Sequence, residues 1–199
     1  EMGYVLGVNL GTKNISGGIF DCFGRGIFIK ETRIPNEYLG EPQKYLSFSI
    51  GFIESLQNES KIAWNNILGI GLAVPGIIER ETGICRYSAN LVWQDFSVTS
   101  QIQETFEKFV LCENDARALT MAEYLFGVGK NLKNFICIKL GNGIGVGVFM
   151  DGKLLYGETY GIGELGHITV PNNFLRCRCG KIGCLETLVA GDGIVRRAL

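Results

Sequence analysis

The chain has no run of apolar residues long enough to cross a bilayer as a helix, which takes about 20 of them, so none of its segments is expected to span a membrane in that form. It has no surplus of charge either. Lys and Arg number 19 against 20 Asp and Glu, for a net charge of −1. Without a basic excess there is no electrostatic footprint for nucleic acid, and this chain by itself is not expected to bind DNA. A secretory leader is not expected from its first residues, and its 7 cysteines are an odd number. Together these argue against a disulfide framework and for a reducing, cytoplasmic compartment. Histidine is nearly absent: the single one, His167, stands beside the densest group of cysteines.

What is present is an ordinary globular composition, 46% hydrophobic and 20% charged over 199 residues, enough for one sizeable core or two small ones. Glycine is the exception. Its 28 residues gather at 3–26, 69–76, 141–147 and 157–166, where backbone turns tightly or approaches a ligand.

The strongest chemical signal is the set His167, Cys177, Cys179 and Cys184. Four N and S donors make a complete tetrahedral shell for Zn²⁺, with no open position for a catalytic water. Gly180 and Gly183 let the backbone fold tightly around an ion. A structural zinc site in the loop 167–184 is therefore expected in preference to a disulfide pair. Cys22, Cys85, Cys112 and Cys137 stand singly in apolar runs and are expected to be buried, reduced core residues.

Hydrophobic patterning predicts the order βββαβαβ. Strands at Tyr4 to Leu10, Ile15 to Phe20 and Gly26 to Ile34, joined by tight turns, read as an antiparallel meander. After Pro42, the spacing of Tyr45, Leu46, Ser49, Phe52, Ile53 and Leu56 lines one face of a helix. Leu68 to Val74 is an uninterrupted apolar run and reads as a buried parallel strand. A helix over Phe96 to Phe109 and a short strand at Val110 to Glu113 follow. Asn114 and Asp115 then cap a helix over Ala116 to Phe126. The meander recurs as Phe135 to Leu140, Ile144 to Met150 and Lys153 to Tyr156, the last two joined by the hairpin signal Asp151-Gly152. Two related lobes are expected, 1–115 and 116–199.

The ordered set Asn90-Leu-Val-Trp93, Glu113-Asn-Asp-Ala-Arg-Ala118, Gly141-Asn-Gly-Ile-Gly145, Gly163-Glu-Leu-Gly-His167 and Cys177-x-Cys179-x4-Cys184-Leu-Glu186 resembles the ROK family of repressors, open reading frames and sugar kinases. The resemblance implies an α/β, actin-like, ribonuclease-H-like ATPase fold of two lobes with a sugar in the cleft, the second lobe incomplete in this chain. It implies sugar contacts from Asn90, Asn114, Glu164, His167 and Glu186, and from Asp115, which in the kinases is the catalytic base. His167 would bind zinc through one ring nitrogen and sugar through the other.

The phosphate-binding residues depart from the family's kinases, which open with Asp-x-Gly-x-Thr. Here Asn9 stands where a carboxylate would organise Mg²⁺, and Lys13 has replaced the hydroxyl, leaving Gly11, Thr12 and Lys13 as a weak phosphate turn. Gly141, Asn142 and Gly143 form a second glycine turn, with asparagine in place of the usual threonine. The reading that follows is a sugar-sensing domain of a ROK regulator. Its partners would be a sugar and, through a helix-turn-helix that this chain lacks, DNA, and exposed apolar residues would favour a homodimer or higher oligomer. An ATP-dependent sugar kinase using Mg-ATP, with Asp115 as base, is the alternative, and a binding module with a vestigial cleft a weaker third reading.

Overall fold

The computed structural model describes residues 3–198. The chain divides into two compact units between Asn114 and Asp115.

The first unit is built on alternation. In β1 (Tyr4–Leu10), Leu6, Val8 and Leu10 are buried on one face. β1 pairs antiparallel with β2 (Asn14–Asp21), which pairs antiparallel with β3 (Gly26–Arg33). At the β1–β2 turn a Cβ on Gly11 would lie 2.3 Å from the Asn14 carbonyl oxygen, so glycine is required there. Helix α1 (Pro42–Ser60) buries Tyr45, Leu46, Ser49, Phe52, Ile53 and Leu56, the face its spacing predicts. It starts with Pro at the first position, where the missing N–H costs nothing, and stops at Lys61 in the left-handed conformation, φ 61°. β4 (Ile67–Val74) and β8 (Phe109–Asn114) add as parallel strands, completing a five-stranded sheet in the order β3-β2-β1-β4-β8.

Between those strands the structure departs from the predicted order. Residues 77–97 form a separate antiparallel sheet, β5 (Ile77–Glu79), β6 (Ile84–Ser88) and β7 (Trp93–Ser97). The helix expected over Phe96 to Phe109 is shorter, α2 (Ser100–Phe106): Phe96 belongs to β7, and Phe109 opens β8. Ile102 and Phe106 keep helical spacing, but Glu107 at φ 51° closes the helix before Phe109. Buried aromatics tie the second sheet to the core, with the Trp93 ring 5.1 Å from Tyr45 and 5.2 Å from Phe96.

In the second unit α3 (Asp115–Phe126) packs on an antiparallel sheet of β9 (Phe135–Leu140), β10 (Ile144–Met150) and β11 (Lys153–Leu154). Close approach is possible because Gly145 and Gly147 lie under Ala116 and Thr120. β10 and β11 turn at Asp151 and Gly152, both with positive φ, 50° and 75°. β11 ends at Leu154, short of Tyr156. β9 lies at the sheet edge, with Ile136, Ile138 and Leu140 exposed on one face. Two short helices, α4 (Glu186–Val189) and α5 (Gly191–Ala198), end the described chain. None of the described helices is long and apolar enough to cross a membrane.

Candidate metal centre and ligand site

His167 ends a single 3-10 turn, Leu165–His167. Cys177 and Cys179 sit on a tight knuckle closed by the Cys177 N–H to Lys181 carbonyl bond (2.8 Å) and the Gly180 N–H to Cys177 carbonyl bond (3.0 Å). Cys184 lies just before α4. Gly180 and Gly183 have φ of 92° and 91°, the left-handed region glycine enters without penalty. The four donor atoms all lie within 4.8 Å of one another.

The donor spacing fits a tetrahedral ion. Cys179 Sγ is 3.7 Å from Cys184 Sγ, and Cys177 Sγ is 3.6 Å from His167 Nδ1. Zinc bonds of about 2.3 Å to sulfur and about 2.0–2.1 Å to nitrogen give tetrahedron edges of about 3.8 and 3.6 Å. A disulfide would require sulfurs about 2.05 Å apart. Burial raises the Cys177 thiol, and it raises that of Cys184 to about 12, with the neighbouring cysteines adding to it. Cys179 is shifted down, as hydrogen bonds from the Lys181 backbone and the other cysteines outweigh desolvation. Buried thiols this close are costly to ionise alone, and a divalent cation removes that cost.

Asn173, buried, locks the loop from inside. Its Nδ2 donates to the Cys184 carbonyl (3.0 Å) and the Thr187 hydroxyl (2.9 Å), and its Oδ1 accepts from the Leu175 N–H (3.2 Å). Nothing in the sequence around Asn173 marks it for this role. Asn173→Ala is expected to lower zinc affinity about 10–100-fold, as outer-shell partners do, measured by competition with a chromophoric chelator.

Asn90 lies half-buried in the turn after β6, two residues before Val92, which holds φ 59°, an outlier for a β-branched residue. Asn114 ends β8 and donates through Nδ2 to the Gly76 carbonyl at 2.8 Å. Asp115 opens α3, and its Oδ2 is ion-paired with Lys139 Nζ on β9. Glu164, with its side chain 43% exposed, lies 3.7 Å from His167 Nε2. His167 thus turns Nδ1 to the cysteines and Nε2 to Glu164. Partial desolvation raises the Glu164 carboxyl, aided by Glu186 and Asp115 and opposed by His167 and Arg117. Glu186 is buried and accepts the Ile144 N–H at 3.0 Å, so it also fixes the start of β10.

Of the phosphate-turn residues, Gly11 accepts the Tyr45 hydroxyl through its carbonyl at 2.7 Å and Lys13 is exposed. Thr12 lies between them in the turn. Gly141, Asn142 and Gly143 form the β9–β10 turn, closed by the Gly141 N–H to Gly143 carbonyl bond at 3.0 Å. The isolated cysteines divide. Cys85 and Cys112 are buried, but Cys137 is half-buried and Cys22, expected in the core, is exposed, because it follows β2 into a turn. Lys139, paired with Asp115, and Arg117, whose charge acts on Glu164, are neighbours of the expected ligand residues that sequence reasoning missed. A lysine interrupting the apolar run 135–140 was the visible signal for the first.

The sequence profile described as "ROK family" matches residues 5–199. A glucokinase of Halalkalibacterium halodurans is 40% identical over 135 residues, 67% of this chain and 41% of its own length. A xylose repressor of Caldicellulosiruptor bescii is 34% identical over 191 residues, 96% of this chain and 47% of its own. The crystal structure of a ROK family glucokinase from Streptomyces griseus, in complex with glucose and AMPPNP, superposes with a TM-score of 0.88 at 27% identity, over 98% of this chain and 60% of that one. The mixed α/β fold is thus that of the actin-like ATPases. The chain spans about half the length of the curated relatives it matches.

Proposed function

Since the chain belongs to the ROK family, we propose that it is the sugar-binding effector domain of a ROK transcriptional regulator. The observation that carries this over a kinase is the ion pair between Asp115 and Lys139. A general base needs its carboxylate directed at the substrate hydroxyl, and here one oxygen is already held by an ammonium group. As a fixed acceptor, Asp115 still serves to bind a sugar. Asn9, on β1, adds to the argument, because a carboxamide carries no charge for Mg²⁺.

In this reading Asn90, Asn114, Asp115, Glu164, His167 and Glu186 make the polar contacts to the sugar. Zinc on His167, Cys177, Cys179 and Cys184 would be structural, supplying the rigidity that orients the His167 ring. Sugar binding then shifts a conformational equilibrium sensed by a DNA-reading domain, by no more than its difference in affinity for the two states. The kinase reading, with Asp115 as base, draws support from the glucokinase relative.

Calorimetric titration of the intact protein with D-xylose and D-glucose, with and without Mg-ATP, separates the two. A sensor binds one sugar with the same affinity in both conditions and yields no sugar phosphate. ATP-dependent product would make the chain part of a kinase.

A further inference from the structure

Arg117 is among the largest fully buried side chains of the molecule, 2% exposed, and no ligand role has been given to it. It lies in the first turn of α3, two residues after Asp115. Its Nη1 donates to the Tyr160 carbonyl at 2.8 Å across 43 positions of sequence. Its guanidinium also stands over the Tyr156 ring, 5.4 Å from the centroid. Both contacts fall on one loop, residues 155–164, which leaves β11 and ends at Glu164.

That loop is strained where the arginine grips it. Tyr160 holds φ 56°, a conformation that costs a non-glycine residue of order 1–3 kcal/mol and persists only where its surroundings enforce it. Its own closing bond, the Tyr160 N–H to the Gly157 carbonyl, is long at 3.4 Å. A charge-assisted bond from a buried guanidinium is the stronger hold. Cation–π contact adds to it, more so when desolvated. Burying a cation there is expensive unless its donors are used, so a residue kept for packing alone would not be arginine.

We propose that Arg117 is a positioning residue. It clamps the carbonyl of Tyr160 and the ring of Tyr156, holds the left-handed turn, and so sets the path by which Gly163 and Glu164 are delivered beside His167. The ligand role of Glu164 rests on the sugar-binding reading, while the clamp itself does not.

The test uses the intact protein without sugar, following amide exchange in the wild type, Arg117→Met and Arg117→Lys. Methionine fills the space without the charge. In Arg117→Met, residues 155–164 should exchange roughly tenfold faster while residues 168–184 keep their wild-type rates, and Arg117→Lys should recover part of the protection. Unchanged exchange in Arg117→Met, or acceleration spread evenly over the second unit, would overturn the clamp. Should Arg117→Met not fold, Tyr156→Leu and Tyr156→Phe read it from the other side: only Phe keeps the ring, and equal exchange in the two is the overturning result. Titration with D-xylose and D-glucose tests positioning: whichever sugar the wild type binds should bind Arg117→Met at least roughly tenfold more weakly, and equal affinity would defeat it. If neither sugar binds the wild type, the sugar reading fails and exchange alone decides the clamp.

Discussion

Cys179→Ser is expected to lose stoichiometric zinc and, with it, order across residues 160–190, while the first unit keeps its fold. The four donors are drawn from a loop with no regular helix or strand between His167 and Cys184, held otherwise by turn hydrogen bonds and the Asn173 side chain. Between His167 and Cys184 the backbone has two isolated bridges, Thr169 to Cys184 and Arg176 to Ile182, and Phe174 and Ile182 are exposed. Structural zinc contributes about 10–16 kcal/mol in small zinc-binding peptides, so the loss of a thiolate removes a large share of what keeps this loop folded. Because His167 is both donor and neighbour of Glu164, sugar affinity should fall below detection. Metal content by plasma spectrometry, with protease sensitivity of the second unit, checks the first claim. Calorimetry checks the second, and retained sugar binding in a zinc-free variant would defeat the idea that the metal orders the site.

Gly163→Ala should be nearly as damaging, for a purely steric reason. Gly163 adopts φ 99°, and a Cβ there would stand 2.0 Å from the Val146 carbonyl oxygen. No side chain can relax to admit it, since the obstructing atom belongs to the backbone of β10. Strain and overpacking together should cost about 3–5 kcal/mol. The outcome expected is a second unit that melts earlier, or a loop that swings away and takes Glu164 with it. Thermal unfolding with zinc present distinguishes these: a lowered midpoint signals the first, and an unchanged midpoint with lost sugar affinity the second. An alanine variant with wild-type melting and binding would mean the loop packs differently.

Much of this was legible because the determinants are local. Tyr45 through Leu56 show helical spacing in the sequence and bury that same face. The His and Cys cluster that could hold a metal ion was visible by residue type and spacing, since ligand chemistry is carried by the side chain. The sheet of β5, β6 and β7 was not legible. Its first strand is three residues long, and β7 reads Trp-Gln-Asp-Phe-Ser with no clean alternation. The overlong helix arose from Phe96 and Phe109, whose apolar character fits a helix end as well as a strand. Arg117 and Lys139 show the deeper limit. Their charges are plain in the sequence, but the groups they engage lie 43 and 24 positions away, and only the tertiary fold chooses those partners.

Lys139 in β9 also matters to the newly made chain before it folds. Phe-Ile-Cys-Ile-Lys-Leu is an edge strand whose other five residues are apolar, the pattern from which intermolecular β-stacks grow before a domain has closed. Lys139 is its single gatekeeper. Any variant that frees Asp115 by removing this lysine will therefore also yield a stickier nascent chain, and its activity should be scored per soluble molecule rather than per cell.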